Sequence, residues 1–328
     1  MLIKKRKLGK TKLDVSEIGL GGWQLGAPVQ INNEPGTVFG GLDKDTVRNI
    51  IDTALELGIN TFDTADVYSL GDSEIRLGNL LKEYRSDINI FTKAGNVPGF
   101  PTWSTDYSYN HLIAAINRSL TRLQTDYVDV FQIHNPPNNE QDYSTIEKAF
   151  NKIKSEGKAR YCGISIGIHY DKGIEIIEKG LVDCLQLYFT LIDPKPLEDL
   201  LPLAKKNNIG IIIAEPLAQG FLTNKYKPGH IFPHDDVRSH TYPPELLQMK
   251  LERSKQFEFL QNDNRSLSQV ALAYILSRDE ISTCIPGVKS SKQLTSNVAA
   301  SKINLNSNEL AQIKSIQSNW NEGISRTG

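Results

Sequence analysis

The stretch Asn110-His-Leu-Ile-Ala-Ala-Ile-Asn-Arg-Ser-Leu-Thr-Arg-Leu-Gln-Thr-Asp-Tyr-Val-Asp-Val-Phe-Gln-Ile-His134 decides the fold. It reads as a helix over 110–123, then a short apolar strand over 127–133 that stops on a polar residue, His134. The same unit recurs on both sides. Upstream, apolar residues at Val47, Ile50, Ile51, Ala54 and Leu55 have helical spacing and stop at Gly58. The strand 59–62 then ends at Asp63. A helix over 73–81 precedes a strand over 88–92 that ends at Lys93. Downstream, helix 144–155 stops at Gly157 and strand 159–164 ends at Ser165. Helix 170–178, strand 184–187, helix 196–206 and strand 209–213 follow, then helix 267–276, strand 283–285 and helix 291–300.

With a first strand over 18–21, this makes about eight strands alternating with helices, each short enough to be buried on both faces. Alternation of that kind implies parallel strands joined by right-handed crossovers. In a chain of 328 residues it predicts a closed (β/α)8 barrel, the TIM barrel, in a single domain over 1–328. The extended runs 5–8 and 13–18 add an N-terminal β-hairpin, and a helix over 307–318 is an extra C-terminal one. The longest irregular segment is 225–244; loops of that length are usually functional or disordered. Gly19-Leu-Gly21-Gly22-Trp23-Gln24 begins like a dinucleotide-binding turn but lacks the third glycine and the immediate helix, which argues against a Rossmann fold.

Composition narrows the function. Lys+Arg number 37 against Asp+Glu 38, a net charge of -1, so the chain is not built to neutralise nucleic-acid phosphates or to grip an anionic membrane. No run approaches the roughly 18–20 apolar residues of a spanning helix, and no apolar segment follows the basic N-terminus as in a signal peptide. Cys162, Cys184 and Cys284 are far apart and set in apolar runs, as expected of reduced thiols in a cytoplasmic protein. The six histidines include no strand-end pair suited to a catalytic metal, so no metal is expected. The chain leaves a homo-oligomer open.

Active groups of such a barrel sit at the C-terminal ends of its strands. The sequence places there Asp63, Lys93, His134, Ser165 and Gln186, with Tyr68 in the loop after Asp63. Singly, each has a plain reading: an internal ion pair, a packing aromatic, a capped strand end. Together they make chemical sense. Asp63 pairs with Lys93, the ammonium lowers the pKa of the Tyr68 phenol, and His134 donates a hydrogen bond to a carbonyl oxygen. Tyr68 then serves as a general acid. An acid aimed at a carbonyl, with no metal or nucleophile beside it, implies hydride delivery from a cofactor.

The chain resembles the aldo-keto reductase superfamily. The matching segments are Gly19–Gln24, Asn60-Thr-Phe-Asp-Thr-Ala-Asp-Val-Tyr68, Gly71-Asp-Ser-Glu-Ile-Arg-Leu-Gly78, Phe91-Thr-Lys93, 119–134, Gly157-Lys-Ala-Arg-Tyr-Cys-Gly-Ile-Ser165 and Ile285-Pro-Gly287. The resemblance implies a catalytic tetrad of Asp63, Tyr68, Lys93 and His134. It also implies NADPH as the favoured cofactor, with NADH as the alternative. Ser165 and Gln186 fall where the family holds the nicotinamide carboxamide, with Gly22 and Trp23 alongside. Pro216, Leu217, Gln219, Gly220, Leu222 and Lys225 fall on the loop that covers the pyrophosphate. Gly287, Lys289, Gln293 and Asn297 fall on the adenosine-binding segment, where Lys289, Ser290 and Lys292 could grip a 2′-phosphate. The chain departs from the family at Ile166, Ala214 and Gln293, which stand where Asn, a stacking Tyr and Arg are common. The substrate is then a small carbonyl or sugar-like molecule, shaped by Trp23, Tyr68, Trp103 and His134. Two rival readings share the fold: a sugar or alcohol dehydrogenase running oxidatively, and a redox-sensing regulatory subunit.

Overall fold

The structure, a computed structural model, describes residues 2–31, 34–35, 41–98, 104–227, 229–234 and 236–320. Eight strands form one parallel sheet: β1 Leu20–Gly21, β2 Thr61–Asp63, β3 Asn89–Ala94, β4 Val128–Ile133, β5 Ala159–Gly167, β6 Cys184–Tyr188, β7 Gly210–Ala214 and β8 Thr283–Ile285. They lie side by side in chain order, and a parallel bridge between Ile18 and Cys284 joins the last to the first. The predicted barrel is therefore present. Its core lies in two layers. Phe62, Ile90, Phe131, Ile164 and Leu187 belong to the larger, between strands and helices. Phe91, Val130, Cys184 and Ile212 form the smaller one with Leu8, Leu13 and Val15 of the N-terminal hairpin, Lys5–Lys7 paired with Asp14–Ser16. The hairpin thus supplies the apolar residues that complete this small core. Gly9 allows that fit: its φ is +51° and a Cβ would lie 2.1 Å from the Gly210 nitrogen.

The outer helices are α1 Lys44–Glu56, α2 Asp72–Leu81, α3 Tyr109–Leu123, α4 Glu140–Ser155, α5 Tyr170–Glu178, α6 Leu200–Lys206, α7 Val237–Thr241, α8 Pro244–Lys255, α9 Leu267–Leu276, α10 Ser291–Ala299 and α11 Ser307–Ser318. Most begin where a side-chain oxygen satisfies a free backbone N–H: Asp43 for α1, Ser108 for α3, Asn139 for α4 and Ser290 for α10. Ser266 and Asn306 make reciprocal capping boxes with Gln269 and Glu309. Two readings need correction. The segment expected as one helix over 196–206 is a 3₁₀ turn, Lys195–Leu197, followed by the shorter α6. The irregular stretch 225–244 contains α7, and it leads into α8, which the sequence does not announce because its buried positions include Lys250 and Ser254. Trp320 docks on α8: its ring meets Phe257 at 5.8 Å and the Arg253 guanidinium at 4.4 Å.

Beneath β4, Asp129 is fully buried and accepts from Arg85 Nη2 at 2.7 Å, Arg160 Nη1 at 2.8 Å and the Ile90 N–H at 2.9 Å. Replacing it with Ala strands the buried Ile90 N–H, while Arg85 keeps Thr125 Oγ1 and the Ile88 and Tyr127 carbonyls and the half-exposed Arg160 turns to water. A buried donor left unsatisfied costs about 1–3 kcal/mol, so Asp129→Ala should lower stability by about that amount in urea unfolding. A change under about 1 kcal/mol would show the network to be dispensable.

Candidate active site

Register brings the strand-end residues to one level. Gly21 pairs with Asp63, Gln132 with Lys93, and Ser165 with Gln186. At the centre lies the Asp63–Lys93 ion pair, its side chains 2% and 1% exposed. Lys93 Nζ donates to Asp63 Oδ1 and, at 2.9 Å, to the Thr64 carbonyl. Asp63 Oδ2 accepts from Gln186 Nε2 at 2.8 Å and Gln132 Nε2 at 3.3 Å. The carboxylate thus meets one ammonium and two amides, which offsets much of the cost of burying it. Ser165 Oγ donates to Gln186 Oε1 at 3.4 Å, so Ser165 and Gln186 form a polar pair beside the ion pair.

Tyr68 hangs over this pair from a 3₁₀ turn, Tyr68–Gly71, in which Ser69 and Leu70 have φ of 49° and 52°. Non-glycine residues in that region store strain, which is typical of functional loops. The Tyr68 ring meets Trp23 edge-on at 4.8 Å and His134 at 5.5 Å, and Lys93 Nζ lies 5.2 Å from its centroid. The geometry joins the four predicted groups, but the phenol behaves otherwise than expected. Burial, then the Asp63, Tyr188 and Glu215 charges, push its pKa well above 10.0. Burial, helped by the Asp63 charge, thus sets the sign opposite to the lowering expected from the nearby ammonium. Burial, then Lys93, push His134 well below its ordinary value, so its ring is neutral. Burial also lowers Lys93, with Asp63 pulling back toward the charged form.

The sequence reading does not single out Gln132. It stands two residues before His134 on a strand, hence on the same face, and it is a polar residue in an apolar run. Its Oε1, Gln24 Oε1 and His134 Nδ1 are buried without hydrogen-bond partners. Orphaned polar atoms at a strand-end mouth suit a polar ligand. Glu215, at φ 50°, holds Gln219 Nε2 at 2.9 Å. Arg238, on α7, pairs with Asp236 and donates to the Gln219 carbonyl at 3.2 Å and to the Tyr226 hydroxyl. It ties the loop 216–225 to the segment before α8. Partial burial, then the Lys225 and Arg238 charges, lower the Lys289 pKa, while Asp236 opposes. Three cations around one carboxylate suit an anion such as a phosphate. With the Ser165–Gln186 pair and the orphaned atoms at the mouth, the residues fit a dinucleotide.

Other predicted cofactor residues make contacts within the protein. Gly22 N–H donates to the Asp63 carbonyl at 2.7 Å, and a Cβ on Gly22 would lie 2.7 Å from that oxygen. Leu222 is fully buried in the core, and Asn297 is buried on α10. Gln293 turns back on its own loop, its Oε1 accepting from the Lys289 N–H at 2.7 Å. Pro216, Leu217 and Gly220 lie along the loop after β7, and Gly287 just beyond β8. Trp103 lies outside the described residues, as does the stretch 321–328. Among the described residues no cluster of three or more His, Cys, Asp or Glu is placed to hold a metal. No helix there is long and apolar enough to cross a membrane. The three cysteines are buried and unpaired with one another.

Residues 17–318 match the model of the aldo/keto reductase family. The chain is 33% identical to an uncharacterised oxidoreductase, YqkF, of Bacillus subtilis, over 98% of both chains. It is 34% identical to L-galactose dehydrogenase of Arabidopsis thaliana, over 91% of this chain and 88% of that one. Among solved structures, the holo form of aldo-keto reductase AKR11C1 from Bacillus halodurans superposes with a TM-score of 0.78 at 31% identity, over 96% of each chain. A parallel barrel of this register, carrying an Asp–Lys pair beneath a tyrosine and matched along nearly its whole length, belongs to the aldo/keto reductase family of oxidoreductases.

Proposed function

We propose that the protein reduces an aldehyde or ketone to the alcohol, with Tyr68 as general acid and NADPH as the favoured cofactor. The observation that carries this reading is the Tyr68 phenol standing between the His134 ring and the buried Lys93–Asp63 ion pair. When bound, the dinucleotide supplies the hydride. The protein's own groups handle the oxygen. Neutral His134 donates an N–H to the carbonyl oxygen and orients it. As negative charge builds there, the Tyr68 O–H gives its proton, and the C=O becomes CH–OH. The resulting phenolate lies beside Lys93, whose ammonium stabilises it. Asp63 holds Lys93 in place, and Gln132 and Gln186 hold Asp63. Ser165 and Gln186 would face the carboxamide; Lys225, Lys289 and Arg238 would face the phosphates.

The resemblance to L-galactose dehydrogenase supports a second reading, oxidation of a sugar or alcohol by the same groups in reverse. A fluorescence titration with NADPH, followed by turnover on sugars, aromatic aldehydes and dicarbonyls with reduced and oxidised cofactor, separates the two. Faster turnover with reduced cofactor supports the first, and turnover only with oxidised cofactor the second. Failure to bind either nucleotide defeats both. Lys289→Ala should weaken NADPH about tenfold, or about 1.4 kcal/mol, and leave NADH nearly unchanged. An equal loss for both nucleotides would remove Lys289 from recognition of the 2′-phosphate.

A further inference from the structure

Asp66 is a buried titratable group on the loop between Asp63 and Tyr68, and the chemistry above does not use it. It is 8% exposed, and its Oδ1 has no hydrogen-bond partner. Its backbone is tied to both neighbouring walls. The Asp66 N–H donates to the Lys93 carbonyl at 2.9 Å, and the Asp66 carbonyl accepts from Arg122 Nη1 at 3.2 Å. Arg122, on α3, spends its other contact on Glu74 Oε2 at 3.1 Å. Glu74, fully buried on α2, also accepts from Thr92 Oγ1 at 2.6 Å. Gly71 makes room for that guanidinium: its φ is +96°, and a Cβ there would lie 2.4 Å from Arg122 Cζ.

Charged groups therefore face Asp66 from each side: Glu74 from α2, Arg118 and Arg122 from α3, and Lys93 from β3. Among the described residues no cation binds its carboxyl directly, and Arg122 is committed to the Asp66 carbonyl and to Glu74. Burial, then the Glu74 charge, raise its pKa to about 7, with Arg118, Arg122 and the Val67 N–H in partial opposition.

We propose that Asp66 is a positioning residue for the tetrad, a carboxyl whose proton sets the field at Lys93 and so the ease with which Tyr68 hands over its own. This rests on the reductive reading. Charged, Asp66 adds a second negative group beside Lys93 and opposes the charge that builds on the carbonyl oxygen. Neutral, it leaves the ammonium answering chiefly to Asp63, with Glu74 the remaining carboxylate. Reductive turnover falls as pH rises through neutrality, by a single ionisation. Stability has the same sign. Folding raises this carboxyl above its unfolded value, so the native chain keeps a proton that the unfolded chain has lost. The stability this gives is complete below the unfolded carboxylate range and is lost as pH rises through about 7.

Asp66→Asn keeps the shape and removes the ionisation. Its melting temperature should match the parent's at about pH 4, near the unfolded carboxylate range, and exceed it by several degrees at about pH 8.5. Its reductive turnover should lack the decline through neutrality. A melting difference equal at both pH values, or turnover profiles that superimpose, would overturn the proposal. If the Asn protein fails to fold, Asp66→Ser is compared in the same way. The melting comparison needs no substrate. Absence of turnover by the parent protein on every carbonyl therefore counts against the reductive reading alone, and the Asp66 ionisation is still judged by melting.

Discussion

Replacing Tyr68 with Phe should lower carbonyl-reducing turnover by about 10²–10⁴-fold, the usual contribution of a positioned general acid. It should leave NADPH affinity within about twofold, or about 0.4 kcal/mol. The substitution removes one oxygen and keeps the ring that packs between Trp23 and His134. The barrel should therefore be undisturbed, and the loss should fall on kcat rather than KM. The raised phenol pKa makes a further point. At neutral pH Tyr68 is fully protonated, so the acid is always loaded. Burial holds the phenol above its ordinary value, so reduction should not decline through deprotonation of Tyr68 near neutral pH. Full turnover in the Phe protein would place the acid elsewhere.

The second large effect concerns the ion pair beneath. Lys93→Met removes the ammonium that receives the developing phenolate and leaves Asp63 buried with only two amides. Turnover should fall at least as far as in Tyr68→Phe. Stability should also fall by about 3–5 kcal/mol, the cost of an uncompensated buried charge. The two losses have different origins, and a double change separates them. Asp63→Leu combined with Lys93→Met removes both charges and should recover much of the stability, since replacing a buried pair by apolar groups is often neutral. It should recover none of the turnover. Denaturant unfolding and steady-state rates on the three proteins make the comparison. Recovery of turnover in the double variant would show that Lys93 acts only as a prop for Asp63.

The barrel was legible because its strands are short apolar runs ending on polar residues, and because glycines stop the helices between them. Gly58, Gly157 and Gly180, all at positive φ, punctuate the chain where the alternation requires. α8 was not legible because its buried face carries Lys250 and Ser254, so no apolar stripe appears. Asp63, Lys93 and His134 of the proposed tetrad could be read from strand ends, where a residue points at the mouth, and Tyr68 from the loop just after Asp63. Its support could not. Gln132 and Gln186 reach Asp63 only through the lateral register of β2, β4 and β6. Arg238 meets Gln219 and Tyr226 only through the course of the loop after β7. The direction of the Tyr68 shift was also beyond the sequence. Proximity to Lys93 suggests a lowered value, but the sign is set first by how deeply the phenol is buried, which only the three-dimensional arrangement supplies.

The central claim is that Tyr68 transfers its proton as the carbonyl is reduced. A single-turnover measurement tests it: the NADPH-loaded protein is mixed with a reactive aldehyde in water and in deuterium oxide, beside the Tyr68→Phe protein. The account predicts a fast loss of reduced-nicotinamide absorbance that slows in deuterium oxide, and no comparable phase without the phenol. A phase equally fast in both proteins and indifferent to deuterium would contradict it.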